Sequence, residues 1–191
     1  MYKGVKRALD VTFSLIGTAV SSPILLAVAA AVKLDSKGPV IFKQERLGKD
    51  GKVFEMYKFR SMCVGAEHMG TGQYSYKGDS RVTRVGKIIR ATSLDELPQL
   101  INILKGELSI VGPRPIVEKE TEIYGSDIAK LLSVKPGLTG YWQAYARNNA
   151  TYESGERQRM EMYYVEHCSL WLDIKILFRT VFSVIRKDGA Q

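Results

Sequence analysis

From Val11 to Val32 the chain carries no charged residue. As one straight helix at about 1.5 Å per residue, that run would be about 33 Å long, enough to cross the hydrocarbon core of a bilayer. Lys3, Lys6 and Arg7 precede it, as they would precede the apolar core of a secretory signal. Against a signal, Asp10 opens the run and no small-residue cleavage site is clear. Two features also argue against a simple span. Ser21-Ser22-Pro23 interrupts the middle, where proline removes a helix hydrogen bond and kinks the axis. Both flanks are basic, with Lys33 and Lys37 on the far side, and positive charge holds a flank on the cytoplasmic face. A helix broken at Ser22-Pro23 that enters and leaves by the same leaflet satisfies both constraints, with serine hydroxyls taking the carbonyls that proline frees. A kinked single-pass helix is the alternative.

A chain of 191 residues suits one domain with a sizeable core. Its formal charge of +8 favours anionic partners: nucleic acid, an acidic membrane face or phosphorylated substrates. Cys63 and Cys168 are far apart and in no metal-like spacing, which reads as two free thiols in a reducing compartment. His68 and His167 are equally isolated, so neither a zinc site nor a His-based triad is indicated.

Beyond the apolar run, two strand-like segments, 40–46 and 52–60, flank Gly48-Lys49-Asp50-Gly51 and read as a hairpin. The two-residue period puts Lys58 and Arg60 on one face and Tyr57 and Phe59 on the other. Residues 67–80 read as a surface loop, and 82–90 as a short basic helix. Leu97, Leu100, Ile101 and Leu104 follow helical spacing up to Lys105-Gly106. Residues 107–111 form an extended run that feeds Gly112-Pro113-Arg114-Pro115, whose two prolines present Arg114 with little entropy left to lose. A guanidinium held in this way suits bidentate phosphate binding. Residues 116–134 read as helical and 135–140 as a turn-rich loop. Residues 141–149 supply aromatics, amides and Arg147, a set that can stack on a base or pack into a core. After a polar helix over 156–166, Leu170 to Ile185 repeats apolar residues at three- and four-residue steps with Lys and Arg around them. That suits either an interfacial helix with Trp171 at the water boundary or an ordinary core helix.

The chemistry-bearing stretch is Ser93-Leu94-Asp95-Glu96-Leu97-Pro98. Ser93 with Glu96 three residues on matches a capping box. If the helix instead starts at Pro98, the two acids occupy the turn before it. In both arrangements a carboxylate lies near the positive end of a helix dipole and stays ionised, able to act as a nucleophile or to hold a divalent cation.

Taken in order, Lys6-Arg7-Ala8-Leu9-Asp10, Ser22-Pro23, Tyr57-Lys58-Phe59-Arg60-Ser61-Met62, Thr92 to Leu100, Gly112 to Pro115 and Lys135 to Gly140 resemble one family along nearly the whole chain. It is that of the monotopic phosphoglycosyl transferases, bacterial sugar transferases, in what looks like their minimal catalytic form. The resemblance implies an α+β fold, mostly helical with a small hairpin or sheet and interfacial amphipathic helices. Residues 1–36 would be a re-entrant membrane helix and 37–191 a catalytic domain on the cytoplasmic face of the bacterial inner membrane.

The implied reaction passes a sugar-1-phosphate from a UDP-sugar to a polyprenol phosphate, usually undecaprenyl phosphate, with magnesium as cofactor and release of UMP. It is the first membrane step of glycoconjugate synthesis. Asp95 would be nucleophile and metal ligand, and Glu96 its partner. Lys58, Arg60, Arg90 and Arg114 are candidates for clamping phosphates, with Gln143 and Arg147 near nucleotide or sugar. Membrane lipids are implied partners and nucleic acid is not; a homodimer is left open. One departure follows Gly140, where Trp142 and Tyr145 are bulkier than the residues usual in similar proteins. A membrane-tethered nucleic-acid binder and a membrane-shaping scaffold are the rival readings, and neither needs Asp95 or Glu96.

Overall fold

The computed structural model describes residues 2–70, 76, 78–146 and 152–185. The uncharged run folds within one helix, α1 (Tyr2–Asp35), which continues through Pro23. The expected break at Ser22-Pro23 is therefore not an interruption of the helix. Proline at 23 leaves the Ala19 carbonyl without its amide donor, and Ser22 Oγ donates to that carbonyl at 2.8 Å. Ser21 and Thr18 bond back to the Gly17 and Ser14 carbonyls at 2.6 and 2.7 Å.

Both ends of α1 are fastened to the same body. Near its start, Tyr2 Oη and Lys6 Nζ donate to Asp173 at 2.9 and 2.8 Å. Arg7 donates to the carbonyls of Ile103 and Leu104, and buried Asp10 accepts from Ser109 Oγ and the Ile110 amide. At its end, Val28 and Val32 pack with Phe59 and Ile89, and Asp35 accepts the Val85 amide at 3.0 Å. Between these anchors Leu15, Ile16, Val20 and Leu26 are exposed.

The hairpin forms as its alternation requires: β1 (Ile41–Leu47) pairs antiparallel with β2 (Val53–Phe59), with Phe42 opposite Lys58 and Gln44 opposite Met56. After α2 (Arg84–Ala91), capped by Thr83 Oγ1 on the Gly86 amide, comes α3 (Gln99–Lys105), closed by left-handed Gly106. Buried Asn102 of α3 fixes the helix to β2, accepting the Tyr57 amide at 3.0 Å and donating to the Glu55 carbonyl at 2.7 Å.

The turn-rich stretch after Lys135 holds a strand: β3 (Ser109–Val111) pairs in parallel with β4 (Gly137–Thr139). The backbones meet so closely that a Cβ on Gly137 would lie 2.1 Å from the Gly112 nitrogen. The helix expected over 116–134 is instead broken into α4 (Thr121–Tyr124) and α5 (Ile128–Leu131), because Gly125 between them takes φ +49 and ψ -124, far from helical values. Then follow α6 (Tyr141–Tyr145), α7 (Glu156–His167) and α8 (Leu170–Ile185). On α8, Ile176 is fully buried while Trp171, Ile174, Phe178, Val181 and Phe182 are exposed, so its apolar residues serve two faces at once. Helices packed around two small sheets make an α+β fold.

Candidate active site

An open cleft of about 780 Å³ lies between the hairpin, the turn before α3 and the loop at Arg114. Asp95 and Glu96 enter it from a short 3₁₀ turn, Leu94–Glu96. Ser93 is left-handed, φ +56, a conformation that strains a residue other than glycine, and its side chain caps nothing. The capping box therefore does not form. Pro98 stands at the N-cap of α3, and the acids occupy the turn before it.

Lys58 and Glu96 form an ion pair of 2.8 Å inside the cleft. Beside them, burial pushes the Asp95 carboxyl up to about 6, with Lys58 and Arg90 opposing the rise and Glu96 adding to it. The expectation from the helix dipole alone is a lower value; removal from water outweighs it. Asp95 is still mostly ionised at neutral pH, and its charge faces cations.

Arg90 and Arg114 also line the cleft. Arg114 sits on a loop held from three sides. Its amide donates to Glu161 Oε2 at 3.1 Å, the Gly112 amide to Thr139 at 2.9 Å, and the Gly137 amide to Pro113 at 2.8 Å. Arg60 differs from its expected role. It borders the cleft, but its guanidinium donates to the carbonyls of Val32, Ser36 and Pro39 and to Ser36 Oγ, closing the C-terminal end of α1. Gln143 is not among the cleft residues; its buried Oε1 faces Gly140 with no hydrogen-bond partner among the described residues. Arg147 lies outside the described residues.

The family model of the bacterial sugar transferases matches residues 1–187. The chain belongs to the bacterial sugar transferase family. It is 41% identical to the undecaprenyl-phosphate galactose phosphotransferase of Salmonella typhimurium, over 97% of this chain and 41% of that protein. It is 40% identical to a UDP-N-acetylgalactosamine-undecaprenyl-phosphate N-acetylgalactosaminephosphotransferase of Aeromonas hydrophila, over 100% of this chain and 46% of that one. It is 46% identical to a UDP-glucose:undecaprenyl-phosphate glucose-1-phosphate transferase of Klebsiella pneumoniae, over 93% of this chain and 39% of that one. The chain thus spans less than half the length of these three relatives.

In this member of the family the cleft also draws on residues that sequence reasoning passed over. Gln44 and Arg46 of β1 line it on the same sheet face as Lys58. The two-residue period and the hairpin register place them there, so the signal was available in the strand itself. Glu161 had no such signal. It is a fully buried carboxylate on a helix that reads as polar, and burial pushes it up to about 7. Arg157, one turn earlier, is stacked between Trp142 and Tyr152 at 4.0 and 3.9 Å. Trp142 is thus a buried packing partner that also forms part of the cleft wall.

No cluster of three or more His, Cys, Asp or Glu side chains occurs among the described residues. The acidic pair alone suits a cation that takes one or two carboxylate oxygens and completes its shell with water and substrate phosphate, as magnesium does.

Proposed function

We propose that this chain carries the centre that transfers a sugar-1-phosphate from a UDP-sugar to a polyprenol phosphate, undecaprenyl phosphate in bacteria, and releases UMP. The reading rests on Asp95, a half-buried and ionisable carboxylate that faces Lys58 and Arg90 in an open cleft also lined by Arg114. Relatives named for galactose, N-acetylgalactosamine and glucose share the undecaprenyl-phosphate acceptor in their names, and the proposal keeps to what they share.

In the first step an Asp95 oxygen attacks the β-phosphorus. The bond from that phosphorus to the oxygen bridging it to the α-phosphate breaks, and UMP leaves with that oxygen. Asp95 then carries the phosphosugar as an acyl phosphate. In the second step an oxygen of the polyprenol phosphate attacks the same phosphorus, the bond to Asp95 breaks, and a polyprenyl diphosphate sugar departs. Two displacements replace one direct reaction between two anions. Glu96, adjacent in the chain, takes the proton of an acceptor phosphate that arrives protonated. Lys58, Arg90 and Arg114 hold phosphate oxygens and steady the charge that builds on them. Asp95 would also hold magnesium, whose charge offsets that of the diphosphate.

The acceptor's phosphate lies at a membrane surface, so the cleft must lie there too. Helix α1 is long and apolar enough to cross a membrane by length and composition. With both ends tied to one body, it bends at Ser22-Pro23, where proline kinks a helix without ending it, and so enters the bilayer and returns to the cytoplasmic face of the inner membrane. The exposed apolar face of α8 rests in the headgroup region with Trp171.

Intact-protein mass spectrometry after incubation with a matched UDP-sugar and no acceptor tests the covalent step. The wild type gains the mass of the phosphosugar; Asp95→Asn gains nothing and does not turn over. Undiminished UMP release by Asp95→Asn would remove the nucleophile assignment.

A further inference from the structure

Gln44 lies in the cleft wall and its side chain is oriented by chemistry as well as by packing. Its Oε1 is held by the fork of Arg46, at 3.3 Å from Nε and 2.7 Å from Nη2. Arginine carries donors and no acceptor, so the atom facing it must be the amide oxygen. The amide nitrogen therefore points away from Arg46. That nitrogen makes no hydrogen bond to any described residue.

Arg46 is itself fixed. It is 7% exposed, and its Nη1 donates to the Pro115 carbonyl at 3.2 Å and faces Glu120 at 3.5 Å. The Arg46 anchor is thus tied to the same loop that presents Arg114. On the hairpin, Phe42 is opposite Lys58, so Gln44 is Lys58's diagonal neighbour on that face, about 7–8 Å away. A neutral donor with two free hydrogens thus stands beside the lysine that meets the acidic pair.

We propose that Gln44 is a binding residue for the nucleotide-sugar donor. Its amide N–H groups donate to an oxygen of the sugar diphosphate, and Arg46 is the positioning residue that sets their direction. The inference rests on the proposed transferase reading and deepens it. The shared chemistry is an oxygen acceptor, supplied by either the diphosphate or the sugar.

Gln44→Glu separates this role from a structural one. A carboxylate keeps the contact to Arg46 and makes it a bidentate ion pair, so the fold is retained and the melting temperature stays level or rises. It also replaces the cleft-facing donor with an acceptor. If Gln44 only satisfies Arg46, Gln44→Glu is fully active. If it binds the donor, kcat/KM for the matched UDP-sugar falls at least about thirtyfold, and Gln44→Met, which has no donor, loses about tenfold, a single hydrogen bond's worth. Competition by UDP then locates the acceptor oxygen. An inhibition constant weakened in parallel places it on the diphosphate, and an unchanged one places it on the sugar; either supports the proposal. Both variants within twofold of wild type would overturn it. A wild-type protein that releases no UMP from any UDP-sugar overturns the transferase reading, and this inference with it.

Discussion

Lys58 Nζ meets Glu96 Oε1 at 2.8 Å, joining β2 to the turn that carries both acids. Lys58 is also the strongest influence holding the Asp95 carboxyl down against burial. One side chain therefore orients Glu96 and favours the charged form of Asp95. Lys58→Met removes both effects. Activity at pH 8 should fall by about 10²-fold, the loss expected when one charged transition-state donor is removed. The acid limb of kcat/KM should also move to higher pH, because burial then acts on Asp95 with less opposition. A loss of rate with an unmoved acid limb would show that Lys58 binds phosphate without tuning Asp95.

The raised carboxyl of Asp95 has a cost in stability that can be measured. Its folded value, about 6, lies above the ordinary 3.8. The folded state therefore favours the protonated acid, and stability is lost as pH rises from about 4 through 6. Asp95→Asn should raise the melting temperature at pH 7.5, with the gain fading towards pH 4, where the wild-type acid is neutral too. For activity the sign is opposite: the proposed mechanism needs Asp95 as its anion, so kcat/KM should fall below about pH 6, close to tenfold per pH unit. A destabilised Asp95→Asn at pH 7.5 would contradict the burial account.

Arg60 offers a contrast with Lys58, two residues away and just past the end of β2. Its guanidinium is engaged by the carbonyls at the end of α1. Arg60→Met leaves those acceptors without a donor, at a cost of about 2–3 kcal/mol. The melting temperature should drop, while KM for the UDP-sugar in folded protein stays within a few-fold of wild type. A large KM increase with no thermal effect would return Arg60 to the phosphate clamp.

These contrasts show which parts of the molecule were readable in the chain. The hairpin, α2, α3 and the long apolar helix follow from local pattern, and the acidic pair with its preceding basic segment is visible as a string of letters. What Arg60 does was not visible, because its partners come from a helix end more than twenty residues earlier. The β3–β4 pair depends on two glycine backbones brought together from distant segments, and a turn-rich composition hides it. Glu161 reads as one more acid on a polar helix, yet it is fully buried and holds the Arg114 loop. Ser93 matches a capping box by spacing alone; its left-handed backbone turns the acids into the cleft instead.

The strongest physical constraint on membrane placement is that Asp10 and Asp35, near opposite ends of α1, accept hydrogen bonds from the same body. Asp10 takes the Ile110 amide at 3.0 Å and Asp35 the Val85 amide at 3.0 Å. A through-membrane helix would strip one end of its partners and leave Lys6 unpaired from Asp173 or Arg60 unpaired from Ser36. Breaking a partly buried pair of that kind is far costlier than tilting an apolar helix within a bilayer. Lys3 and Lys37 are both exposed and suit labelling. With Cys63 and Cys168 replaced by alanine, a cysteine substituted for Lys3 or for Lys37 should resist a membrane-impermeant thiol reagent added outside intact cells. Both should react once the membrane is permeabilised. Labelling of one site and not the other in intact cells would mean that α1 crosses the bilayer, and that its two anchored ends cannot both persist in the membrane.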